Sequence, residues 1–179
     1  MTPTKNTWQD NFSVFKFFLA FVGCIMLFYF FYYSIFFQDH LRDPIILAQT
    51  NISAVLLSLF GYTVTVQSGA LTGMNILVKV SGGCDGLEAT ALLIAALTLF
   101  PIPFKYKWPG LIIGAITLTI LNIIRIVGLF LIALYWPEKF EFMHIQGGLY
   151  IFSFVSILLV IIWSDWALKN YKSALVVEQ

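Results

Sequence analysis

Apolar residues in this chain run in long blocks separated by short polar interruptions, with little strand-like alternation. The first block, Phe17 to Phe37, contains no charge and can cross a hydrocarbon core of roughly 30 Å. Polar residues precede it (Thr2, Thr4, Lys5, Asn6, Gln9, Asp10) and no small-residue cleavage site follows, which predicts an uncleaved anchor. Three further blocks, Leu87 to Phe104, Leu111 to Trp136 and Ile145 to Trp166, predict three further spans. Ile45 to Phe60 is short for a span, and its pattern is two-sided. Gln49, Thr50, Ser53 and Gly61 share one helical face, and Ala48, Ile52, Val55, Leu56 and Leu59 share the other. That reads as an interfacial or domain-covering helix with a wet side. Tyr62 to Val66 and Met74 to Val80 are β-branched or alternating runs around a Gln67–Gly73 turn, which predicts a small hairpin. Ser81-Gly82-Gly83-Cys84-Asp85-Gly86 breaks the chain before the next span. The expected fold is therefore an all-α integral membrane bundle of about four transmembrane helices. It forms a single domain over residues 1–179, and an insert at about 38–83 supplies an outer-face amphipathic helix and β-hairpin.

Composition agrees: 60% of the residues are hydrophobic and 11% charged, where soluble domains carry about 25% charge. A net charge of +1 offers no basic field for nucleic acid. Two cysteines cannot build a disulfide scaffold. The cations then set the orientation. If Ile45 to Phe60 does not cross and the N-terminus is cytoplasmic, Lys5, Lys16, Lys105, Lys107, Lys169 and Lys172 all fall on the cytoplasmic side, and the outer loops hold Asp39, Arg42, Asp43, Glu138, Lys139 and Glu141. A fifth crossing would put Lys105 and Lys107 outside, against the positive-inside rule.

Against this apolar background a few polar residues stand out. Arg125 lies within a span, where arginine costs roughly 2.5–3.5 kcal/mol on insertion scales, so a partner or wet cavity is expected. Asn122 shares its helical face. Cys84 stands at the outer mouth of the second span. With Asp85 as N-cap and Glu88 at N3, the helix would start with a capping box. The helix end lowers the thiol pKa, Asp85 and Glu88 oppose that, and a nearby Arg125 would restore it. His144 opens the fourth span, so Cys84, Arg125 and His144 project to the same outer half from three helices. A nucleophile, a base titrating near neutrality and a fixed cation are the minimal set for acyl transfer. The bland readings are an inert cysteine, an interfacial histidine and a snorkelling arginine. Cys24 lies mid-span and reads as inert, and His40 reads as solvated. Tyr32, Tyr33, Trp108, Tyr135 and Trp136 read as an aromatic belt. Phosphate-loop, HExxH and GxSxG motifs are absent, and the scattered His and Cys predict neither metal nor cofactor. Two rivals remain at this point: a small transporter or binding subunit using Arg125 for an anionic ligand, and a structural membrane partner.

Gly83-Cys84-Asp85-Gly86-Leu87-Glu88-Ala89, then Asn122-Ile123-Ile124-Arg125-Ile126, then His144 before Gly147-Gly148, resembles the exosortase/archaeosortase family over roughly Val80 to Tyr150. Asp85 departs from the family pattern, which often has Ser or Asn there. The resemblance implies a sortase-like cysteine transpeptidase or peptidase in the bacterial or archaeal cytoplasmic membrane, with its site facing outward. Its substrates would be exported proteins with a C-terminal recognition motif, a membrane helix and a basic end. Cys84 would attack the peptide carbonyl, His144 would handle the proton and Arg125 would stabilise the oxyanion or hold the thiolate. Asn122, Asp85 and Glu88 would support them. An envelope lipid or glycan amine would accept the product, and membrane lipids surround the enzyme. His144 suggests the bacterial branch, and the short chain suggests the H subtype.

Overall fold

The computed structural model describes residues 7–80 and 84–177, with side chains over 15–80 and 84–174. Most of the polar leader (Thr2, Thr4, Lys5, Asn6) and Ser81-Gly82-Gly83 of the breaker run lie outside the described residues. Helix α1 spans Thr7–Tyr32. It ends earlier than the apolar run because Ser34 breaks the chain: its hydroxyl donates to Phe31 O at 2.6 Å and accepts from Phe37 N–H at 3.2 Å, which caps a new short turn, Ile35–Phe37. A π-helical turn, Gln38–Arg42, leads into α2, Asp43–Leu59, with Pro44 in its first turn. Helix α3 spans Leu87–Leu99, α4 Trp108–Tyr135 and α5 Gly148–Val177. The stretches Phe15–Tyr32, Phe104–Tyr135 and Pro137–Ala174 are long and apolar enough to cross a membrane, and Leu87–Leu99 is a shorter apolar helix. The molecule is an integral membrane helical bundle with a small sheet.

That sheet is a three-stranded antiparallel meander, β1 Thr65–Gln67, β2 Ala70–Gly73 and β3 Ile76–Lys79, where the sequence suggested one hairpin. The segment read as a turn, Gln67 to Gly73, contains the central strand. Two tight turns flank it, with positive φ at Ser68 and Gly69 and again at Met74 and Asn75. Positive φ at both central residues is the I′ geometry, whose twist suits adjacent antiparallel strands. Leu71 pairs with Val66 on one side and Val78 on the other, and it is fully buried.

Helix α2 forms where the pattern placed it, but its faces are reversed. Gln49, Thr50 and Ser53 are 5%, 0% and 0% exposed, whereas Val55 and Leu59 are 60% and 76% exposed. The polar stripe packs into the protein and the apolar stripe faces out. Burial of these groups is tolerated because each has a bond. Thr50 Oγ1 donates to Ile46 O at 2.8 Å and Ser53 Oγ to Gln49 O at 2.8 Å. The partners of Gln49 belong to the site below.

Two apolar clusters organise the packing. One joins the sheet to α2 and α4 through Ile46, Leu57, Leu71, Val78, Val80, Ile126 and Phe130, and Cys84 sits in it. The other joins α3, α4 and α5 through Leu93, Leu97, Leu118, Phe152, Trp163 and Ala167. Trp163 Nε1–H donates to Tyr106 O at 3.0 Å and ties the middle of α5 to the turn that leads into α4.

Candidate active site

The left-handed backbone of Gly86 (φ +73) delays the start of α3 to Leu87, so Gly86 is the N-cap. The expected capping box does not form. Asp85 lies one residue too early, and Glu88 occupies the second helical position and lines a cavity instead. Asp85 Oδ1 still accepts from Leu87 N–H at 3.1 Å, so an orphan donor of the helix end is satisfied. A Cβ at position 86 would strain the backbone and crowd the Asn122 side chain at 3.1 Å.

Cys84 is buried, and its Sγ lies 3.5 Å from both ring nitrogens of His144. Arg125 Nη2 donates to the same Sγ at 3.5 Å and to the backbone carbonyl of His144 at 2.6 Å. His144 sits in a π-helical turn, Met143–Gly147, and stacks on Phe140 with centroids 5.5 Å apart. The Arg125 guanidinium also lies 5.7 Å from the ring centre of Phe152 on α5. An intramembrane arginine is thus held by a carbonyl, a sulfur and an aromatic face. The three residues singled out in sequence therefore meet at one point, from the segment before α3, from α4 and from the turn before α5.

A family model described as transmembrane exosortase matches residues 13–161. The chain belongs to that family. Comparison with curated proteins and with solved structures returns no match.

In this transmembrane exosortase a cavity of about 630 Å³ opens from Cys84, Arg125 and His144. It runs between α3, through Ala89, Leu92 and Ala96, and α5, through Ser153, Ile157 and Ile161. Its lining is apolar apart from Glu88, the two serines Ser153 and Ser156, and the three converging residues. Burial pushes the Cys84 thiol pKa up. Arg125 opposes that through its charge and hydrogen bond, and the Asp85 carboxylate reinforces it. The net shift is upward, so burial together with Asp85 outweighs the arginine and favours the neutral thiol.

Asp85 is almost fully buried and has partners on two elements. Tyr32 Oη–H donates to its Oδ2 at 2.6 Å, and Arg42 Nε lies 3.4 Å from the same oxygen. Arg42 also donates to Gln38 Oε1, and Gln38 Nε2 donates to Tyr32 O at 2.7 Å. Tyr32, read as an aromatic-belt residue, is therefore a buried anchor of the Cys84 segment. Tyr33, Trp108, Tyr135 and Trp136 are exposed. Arg42 and Gln49 were not singled out by sequence. The available signals are weak: Arg42 stands in a predicted loop with Asp39 and Asp43, where a solvated ion pair is the ordinary reading, and Gln49 is one of several polar residues on one face of α2. Asn122 is fully buried, and its Nδ2 donates to Cys84 O and to Gln49 Oε1, both at 2.9 Å. His40 is exposed and stacks on Phe36, and Cys24 is exposed on α1. Among the described residues no group of three or more His, Cys, Asp or Glu side chains could hold a metal ion.

Proposed function

We propose that this protein is a membrane-embedded cysteine transpeptidase that cleaves the C-terminal sorting signal of exported proteins and transfers them to an envelope acceptor. The observation that carries the reading is the convergence of His144 and Arg125 on Cys84 Sγ, each at 3.5 Å. His144 takes the proton of the Cys84 thiol as sulfur attacks the scissile carbonyl, and the C–O π electrons move onto oxygen. Arg125 stabilises that oxyanion, or the thiolate before attack. The tetrahedral adduct collapses, the C–N bond breaks, and the departing amine takes the proton from His144. A thioester remains on Cys84. An acceptor amine of an envelope lipid or glycan attacks the thioester and gives its proton to His144; the amide forms and the thiol returns. With water in place of the amine the same residues hydrolyse the signal.

The cavity supports a membrane-bound substrate. Its apolar walls on α3 and α5 suit the helix of a C-terminal tail, with the preceding peptide beside Cys84. The site faces the outer side of a bacterial cytoplasmic membrane in this reading, where exported substrates arrive. The test expresses Cys84→Ala, Arg125→Ala and His144→Ala with an exported protein bearing a motif, helix and basic tail. Each variant should leave the full-length substrate in the membrane, with Cys84→Ala slower on the order of a thousandfold or more. Normal processing by Cys84→Ala would overturn the proposal. If Arg125 instead served to bind an anion, only the arginine variant would show an effect.

A further inference from the structure

The two successive peptide carbonyls that flank Asp85 are held by two side-chain amides. Asn122 Nδ2 donates to Cys84 O at 2.9 Å, and Gln49 Nε2 donates to Asp85 O at 3.1 Å. The two amides also bond each other, Asn122 Nδ2 to Gln49 Oε1 at 2.9 Å. Both are buried, Gln49 on α2 and Asn122 on α4, and neither touches the cavity that opens from the sulfur. Beyond them the Asp85 carboxylate is tied to Tyr32 and Arg42. The segment between Gly83 and Leu87 has no regular backbone pairing of its own, and an irregular stretch of this kind holds its shape only through such bonds. Two amides cost several kcal/mol to bury unpaired, so their placement here is a specific arrangement.

We infer that Gln49, acting with Asn122, is a positioning residue that holds the Cys84 backbone so that its sulfur stays in register with Arg125 and His144. A reacting geometry must be held to roughly 0.5 Å, and the tolerance is set by the groups that support the reacting side chain. Gln49 reaches Cys84 only through the backbone and through Asn122, and a change there moves the thiol without removing any group that meets substrate. The inference rests on Cys84 being the reacting thiol, but its first readout needs no enzyme activity.

The probe is the ratio of Cys84 alkylation rates with iodoacetate and iodoacetamide, in Cys24→Ser protein in detergent. Both reagents require thiolate, so the ratio cancels the thiol pKa and reports the cation beside sulfur. The native ratio should exceed that of a free thiol by about tenfold, because Arg125 attracts the anionic reagent. Arg125→Gln sets the baseline without that cation. Gln49→Met and the same-sized Gln49→Glu should both fall toward that baseline, and substrate processing should drop by about tenfold or more. Thr50→Val, on the same buried face but bonded only within α2, should keep the native ratio and rate. A native ratio in folded Gln49→Met and Gln49→Glu would overturn the inference. So would native processing with a fallen ratio, or an equal fall in Thr50→Val. If Cys84→Ala processed substrate normally, the proposed function would fail while the alkylation ratio still decided whether Gln49 positions the thiol.

Discussion

Arg125 is fixed from several directions, and one of them is a glycine. A Cβ at Gly148, the first residue of α5, would overlap the guanidinium. The obstructed atoms are the far end of a flexible side chain, so Gly148→Ala displaces Arg125 and leaves the backbone in place. Stability should stay within about 1 kcal/mol of native, because an alanine suits a helix better than a glycine and offsets the local crowding. Processing should fall by about tenfold or more, since the cation leaves its bond to His144 O and its contact with Sγ. A thermal melt in detergent, paired with a processing assay, separates the two effects. A large loss of melting temperature with native processing would show that the glycine serves packing alone. The same crowding explains why Arg125 was conspicuous in sequence. A cation in an apolar span has few explanations, and each requires close partners.

Which elements form was largely readable from the apolar blocks; how they face one another was not. Periodicity separates the two faces of α2 but does not say which one is buried. In water the apolar stripe would turn inward, and in this bundle it turns outward while Gln49, Thr50 and Ser53 face α4 and the Cys84 segment. The same ambiguity hid Tyr32, since an aromatic at a span end usually meets the bilayer interface. Cys84, Arg125 and His144 were visible because such residues are scarce in this chain; Gln49 and Arg42 have common explanations and were not. The sheet departs from a single hairpin for a local reason. Gly69 and Gly73 bracket Ala70-Leu71-Thr72, so a central strand resembles a long turn, and Met74 is an unexpected residue at φ +53. Side chains in the left-handed region cost roughly 1–2 kcal/mol, least for Asn and Gly. Met74→Asn, which gives an Asn-Asn turn at positions 74 and 75, should therefore stabilise the fold by about 0.5–1 kcal/mol. Met74 is exposed, so little packing is lost, and the gain reads as a raised melting temperature in detergent. A fall instead would mean that the Met74 side chain contributes more than its strained backbone costs.

At the scale of the whole molecule the short helix α3 decides the topology. Its 13 residues span about 20 Å, less than the roughly 30 Å of hydrocarbon. Phe100 to Pro103 continue the chain in a non-helical path set by Pro101 and Pro103, and at about 3.3 Å per residue they can supply the remainder. Non-helical backbone at membrane depth persists only where protein covers it. That condition is met: Ile102 is buried, Phe100 packs edge-on against Trp163 with centroids 5.4 Å apart, and Lys107 Nζ donates to Thr98 O near the open end of α3. A complete crossing puts Lys105 and Lys107 on the same side as Lys169 and Lys172, opposite the end that holds Cys84. Single cysteines introduced at Lys105, Lys169 and Glu138 in a background lacking Cys24 and Cys84 test this in intact cells with a membrane-impermeant maleimide. Glu138→Cys should label from outside, and Lys105→Cys and Lys169→Cys only after permeabilisation. External labelling of Lys105→Cys alone would mean that α3 turns back without crossing. External labelling of Lys105→Cys and Lys169→Cys, with Glu138→Cys protected, would invert the molecule and place the thiol on the cytoplasmic side, against the proposed function.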